Sequence, residues 1–93
     1  MPKTIHPNAG RIESYLWEIS PRSQAQGGTM EALRLAAERI GVSLTTVHRW
    51  RARGEIAGSE HVVAVLTAVQ VARWNAGADT PITLEDVKAL AGL

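Results

Sequence analysis

Leu33–Ala52, LRLAAERIGVSLTTVHRWRA, decides the fold of this chain. Leu33, Ala36, Ala37 and Ile40 recur at three- and four-residue intervals, the apolar stripe of one helix. Gly41 follows where the chain must turn sharply, and glycine enters a left-handed backbone conformation without steric cost. Ser43 then offers a side-chain oxygen as N-cap of a second helix. Val47 and Trp50 supply that helix's inner face. Ala37 is small where the two helices would cross, and a larger side chain there would force them apart. A small residue, a glycine four later, a β-branched residue six beyond and a large apolar residue three further together specify a helix-turn-helix. Its core is expected to be Leu33, Ala37, Ile40, Gly41, Val47 and Trp50.

The outer side of the second helix gives that geometry a use. At about 100° per residue, Val47, Trp50 and Ser43 point one way, and Thr45, His48, Arg49 and Ala52 point the other. Leu44 and Arg51 flank one edge, Thr46 and Arg53 the opposite one. No acidic residue lies between Gly41 and Gly54, although the chain carries nine. Arg49, Arg51 and Arg53 therefore concentrate positive charge on one short helix of a protein whose formal net charge is only +1. Phosphates are drawn to such a field, and hydroxyls and a guanidinium can address base edges.

Residues from about Thr29 to Val69 resemble the DNA-binding domain of Cro/CI-type helix-turn-helix regulators. The nearest likeness is to the small phage-borne kind (Cro, CII and YdaS-like proteins), carried by AAERIGVSLTTVHRW and the following RARGEIAGSEHVVAVL. Related sequences often place proline where this chain has Ala57, so the turn there is less rigidly specified. The first 28 residues and the last 20 carry no such likeness. The resemblance implies that Leu44, Thr45, His48 and Arg49 contact bases, Leu44 through a thymine methyl. It assigns phosphate contacts to Ser43, Thr46, Arg51 and Arg53.

The implied function is sequence-specific transcription regulation, with double-stranded DNA as partner. A phage or mobile-element repressor would bind a palindromic operator as a homodimer, with two recognition helices about 34 Å apart. RNA polymerase would be blocked, or recruited from a site just upstream. Two other classes fit the motif. One is the DNA-recognition subunit of a packaging or recombination complex, which often carries a β wing; GEIAGSEHVV leaves no room for two strands. The other is a protein-interaction module that has lost DNA binding, against which the outward arginines argue.

The rest of the chain predicts an all-α fold of about five short helices around the helix-turn-helix, without a β wing. Residues 1–8, with Pro2 and Pro7, read as a flexible arm. The DNA-binding domain is expected over 9–76, and a C-terminal helix over 77–93. A first helix over Ala9 to Ile19 has Ile12, Tyr15, Leu16 and Ile19 as its stripe, stopped by Ser20-Pro21. Arg22 to Gly28 is a polar loop, and Thr29 caps a helix over Met30 to Ile40. The recognition helix runs from Leu44 to about Arg53. A fourth helix spans Glu60 to about Asn75 with Ser59 as N-cap, and a fifth follows the capping-box sequence Thr83–Asp86.

The fourth helix is apolar on two sides. Val62, Val65, Leu66, Val69 and Ala72 form one stripe, and Val63, Val71 and Trp74 extend it. Either the fifth helix covers the second side with Leu84, Val87, Leu90 and Leu93, or a second copy of the chain does. The expected dimer interface is Val63, Val71, Trp74, Leu84, Val87 and Leu90. Trp17 and Trp74 otherwise read as packing residues, and His61 as a surface or capping residue.

Several classes lose support. Cysteine is absent, which removes disulfides, thiol catalysis and cysteine-based zinc sites. His6, His48 and His61 lack metal-ligand spacing. Glu13, Glu18, Glu85 and Asp86 have no nucleophile beside them, so no enzyme and no cofactor are expected. With 45% apolar residues but no long apolar run and no leader-like segment, a cytoplasmic protein, nucleoid-associated when bound to DNA, is expected.

Overall fold

The computed structural model describes residues 6–20 and 28–93. Among them the chain forms α1 (Ala9–Ile19), α2 (Gly28–Ile40), α3 (Leu44–Arg53), α4 (Ser59–Asn75) and α5 (Leu84–Ala91), with no strand. The fold is all-α, as the periodicities predict. Residues 1–5 of the arm expected over 1–8, and most of the polar loop, lie outside the described residues. Two caps differ from expectation. α2 begins at Gly28, so Thr29 lies inside the helix, and α4 begins at Ser59 itself, with Gly58 at its cap and no side-chain cap bond. The capping box of α5 is formed in full by Thr83 and Asp86.

α1 is the spine of the molecule, packing against each of the other four helices. Ile12, Leu16 and Ile19 are fully buried among Leu33, Ala36 and Ala37 of α2, Val47 and Trp50 of α3, Val65 and Val69 of α4, and Leu90 of α5. Tyr15, Ile40, Val42, Leu44, Val62 and Leu66 pack around this cluster while half exposed. The C-terminal helix therefore belongs to the same core as the helix-turn-helix. Leu90, expected at a dimer interface, is 0% exposed and cannot serve one. Its carbonyl accepts the Ile56 N–H at 2.7 Å, which anchors α5 over the segment leaving α3.

Because α5 turns that side inward toward α1, it does not cover the outer face of α4. Val63, Val71 and Trp74 remain exposed, Trp74 at 63%. The packing role expected of Trp74 is thus not fulfilled among the described residues. Leu84 is exposed as well, and Val87 is half-buried.

A polar staple crosses the far side of the molecule. Arg73 of α4 grips Glu18 of α1 through Nε at 2.9 Å and Nη2 at 3.2 Å, and its Nη1 lies 3.8 Å from Asp86. The Tyr15 hydroxyl donates to Asp86 Oδ1 at 2.6 Å, while Asp86 Oδ2 accepts the Thr83 N–H at 2.8 Å. Burial, then the bond to Asp86, push the Tyr15 phenol up to about 12. Burial also pushes Asp86 up, but the bonds from Tyr15 and Thr83 and the charge of Arg73 outweigh it and hold the carboxyl below its ordinary value.

The linkage has a definite sign. The raised phenol pKa stabilises the fold below pH 10, the ordinary tyrosine value, and that contribution disappears as pH rises toward about 12. The lowered Asp86 pKa contributes above the ordinary carboxylate value and is lost as acid protonates it. Tyr15→Phe should lower stability at neutral pH by about 1.5–3 kcal/mol, the value of a hydrogen bond to a charged group. The gap between the two melting curves should close between pH 10 and pH 12, which a pH series of thermal melts reads directly.

Candidate nucleic-acid interface

Local chemistry builds the α2–α3 corner. Gly41 adopts φ +89°, and both its N–H and that of Val42 return to the Ala37 carbonyl, at 2.9 and 3.0 Å. A left-handed residue at this position reverses the chain and lets both N–H groups cap the Ala37 carbonyl in the last turn of α2. Ser43 is extended, and its Oγ accepts the Thr46 N–H at 3.2 Å as N-cap of α3. Val47 and Trp50 are buried, so the register of α3 is set by what it puts into the core.

That register leaves a defined outer strip. Thr45, Arg49, Ala52 and Arg53 are exposed, while Thr46, His48 and Arg51 are half-buried at its margins. Ser43 is exposed at the head of the helix, where its hydroxyl lies 3.1 Å from that of Thr46. Leu44 is half-buried against the core, which reduces what it can offer outward. Thr45 and Arg49 lie one turn apart on the same side, presenting a hydroxyl and a five-donor guanidinium together.

The three arginines of α3 differ. Arg49 and Arg53 form no ion pair among the described residues. Arg51 is held by Glu13 of α1, Nε to Oε2 at 2.6 Å, and its Nη1 lies 3.1 Å from His48 Nδ1. The segment without acids in sequence thus receives a carboxylate from 38 residues away, and the phosphate role expected of Arg51 conflicts with that pairing. On α2, Arg34 pairs with both Glu31 and Glu38, while Arg39 donates from Nη1 to the Ile19 carbonyl at 2.7 Å and forms no ion pair among the described residues. On α3 itself, positive charge without an ion-pair partner among the described residues is carried by Arg49 and Arg53.

Two further supports escaped the sequence reading. Asn8, placed there in the arm, donates from its amide to the Gly54 carbonyl at 2.8 Å and the Ala89 carbonyl at 2.7 Å. It ties the start of α1 to the end of α3 and to α5. Gly54 ends α3 at φ +71°, and a Cβ there would run into the His6 imidazole. His61 stacks obliquely on Trp50 at 5.7 Å between ring centroids and bonds the Ala57 carbonyl at 3.0 Å. No short-range pattern marks Asn8 or Glu13, because their partners lie tens of residues away.

Among the described residues no group of three His, Asp or Glu side chains could hold a metal ion, and no helix is long and apolar enough to cross a membrane. No protein-family model, curated protein or solved structure matches the chain.

Proposed function

We propose that the protein is a sequence-specific DNA-binding regulator that lays α3 in the major groove. One observation carries this reading: the tight α2–α3 turn presents Thr45 and Arg49 outward from a helix whose register is locked by Val47 and Trp50. Thr45, His48 and Arg49 would address bases. Ser43, Thr46 and Arg53 would meet phosphates, with the head of α3 adding its N–H groups. Arg51 is left out of the phosphate set because Glu13 holds it.

A second copy of the chain is the occupant we assign to the outer face of α4. Between Val62 and Trp74 the helix has one charged residue, Arg73, and that residue is turned to Glu18. Val63, Thr67, Val71 and Trp74 therefore make an uncharged strip, with Leu84 also exposed at the start of α5. Such a strip can meet its own image across a two-fold axis without like charges facing each other. The dimer would occupy a near-palindromic operator and act on RNA polymerase by occupancy, as a repressor of the phage or mobile-element kind that the sequence resembles.

Selection from a randomised duplex pool, followed by salt titration, tests the reading. Arg53→Ala should weaken binding to all sequences alike. It should reduce the slope of log affinity against log salt by about two units in a dimer and about one in a monomer. An unchanged slope together with no enriched sequence would refute DNA binding.

A further inference from the structure

Arg51 sits at the margin of the outer strip and has two partners, Glu13 at 2.6 Å and His48 Nδ1 at 3.1 Å. A guanidinium has only donors, so His48 Nδ1 must be the accepting atom of that contact. A neutral imidazole whose Nδ1 accepts carries its proton on Nε2. We infer that Glu13 and Arg51 act as positioning residues that hold His48 in its Nε2–H tautomer, so that it selects guanine on DNA.

The selection follows from the chemistry of base edges. An Nε2–H donor matches an acceptor: guanine presents two in the major groove, N7 and O6, with no donor, whereas adenine sets its one acceptor, N7, beside the N6 amino donor and thymine presents O4 alone beside its methyl group. Cytosine offers the N4 amino donor there and is rejected. Glu13 is needed because an arginine has many rotamers and loses side-chain entropy when fixed. The short ion pair, with both side chains about a quarter exposed or less (21% and 25%), fixes the guanidinium before DNA arrives. This inference rests on α3 being the groove helix, but the tautomer is a property of the free protein.

Long-range proton–nitrogen correlation spectra of the histidine rings, recorded without DNA at mildly alkaline pH, test it. His48 should show a pyridine-like Nδ1 and a pyrrole-like Nε2. His61 provides an internal reference of opposite sense, because the Ala57 carbonyl requires a proton on its Nδ1. In Glu13→Gln and Arg51→Leu the His48 shifts should move toward averaged values while those of His61 stay. A His48 already averaged, or protonated on Nδ1, in the unaltered protein overturns the inference even if neither variant folds. So do His48 shifts unmoved in both folded variants.

A selection on duplex pools supplies the second arm. The unaltered protein should prefer guanine at one half-site position, and Glu13→Gln should lose at least about fivefold of that preference with other positions unchanged. A tautomer that moves without any change in base preference overturns the specificity role. Selection of no sequence by the unaltered protein would instead refute the groove-helix reading, with the ring spectra still deciding the relay.

Discussion

Trp50→Ala is expected to cost about 3–5 kcal/mol, the loss that follows from deleting a buried tryptophan without collapse of its surroundings. Trp50 is 2% exposed and is the largest of the fully enclosed side chains, in one cluster with Ile12, Leu16, Val47, Val65 and Leu90. Its ring also supports His61, which would lose that partner. A domain of this size has roughly 5–14 kcal/mol in total, so the change removes a large share of it. The melting temperature should fall by about 12 °C or more. Trp50→Phe, which keeps an aromatic body, should fall between the two. A drop of only a few degrees for the alanine variant would mean that α3 is not packed as described.

Arg49→Ala should have the opposite profile, with the fold unchanged and specific binding lost. Arg49 is exposed and forms no ion pair among the described residues, so its removal opens no cavity and strands no buried partner. A bidentate base contact is worth about 1–3 kcal/mol, and a symmetric dimer carries two, which amounts to about 2–6 kcal/mol at the operator. Affinity for unrelated DNA should fall much less, because the phosphate contacts of Arg53 and the head of α3 are untouched. Fluorescence anisotropy on the selected and a scrambled duplex measures both. Equal losses on the two would make Arg49 a phosphate contact, and no loss on either would remove it from the interface.

The contrast between the three arginines of α3 carries a general lesson about charge. Read along the chain, Arg49, Arg51 and Arg53 are equivalent members of an acid-free run. In the folded molecule Glu13 neutralises the middle one and leaves its neighbours exposed. Electrostatics is set by distance in space, so a local charge count overstates the field wherever another helix brings a carboxylate close. The same reasoning applies to Arg34, whose matching acids are three and four residues away and therefore visible in the sequence.

The sequence by itself determined what is decided within a few residues. The ends of α1 and α3, the left-handed turn at Gly41, the Ser43 cap and the Thr83–Asp86 box all arise from hydrogen bonds between near neighbours. The inward side of α3 was likewise legible, because Val47 and Trp50 share one face of a 3.6-residue helix. Tertiary structure decided which of two apolar faces is covered and which charges are cancelled. Periodicity shows that α4 is apolar on two sides but not which neighbour takes either side. Leu90 entered the core and Trp74 stayed outside because Asn8, Ile56, Tyr15 and Arg73 dock α5 from across the chain. These contacts join residues 13 to 81 positions apart, and no local pattern encodes them, since each depends on how the helices between are packed.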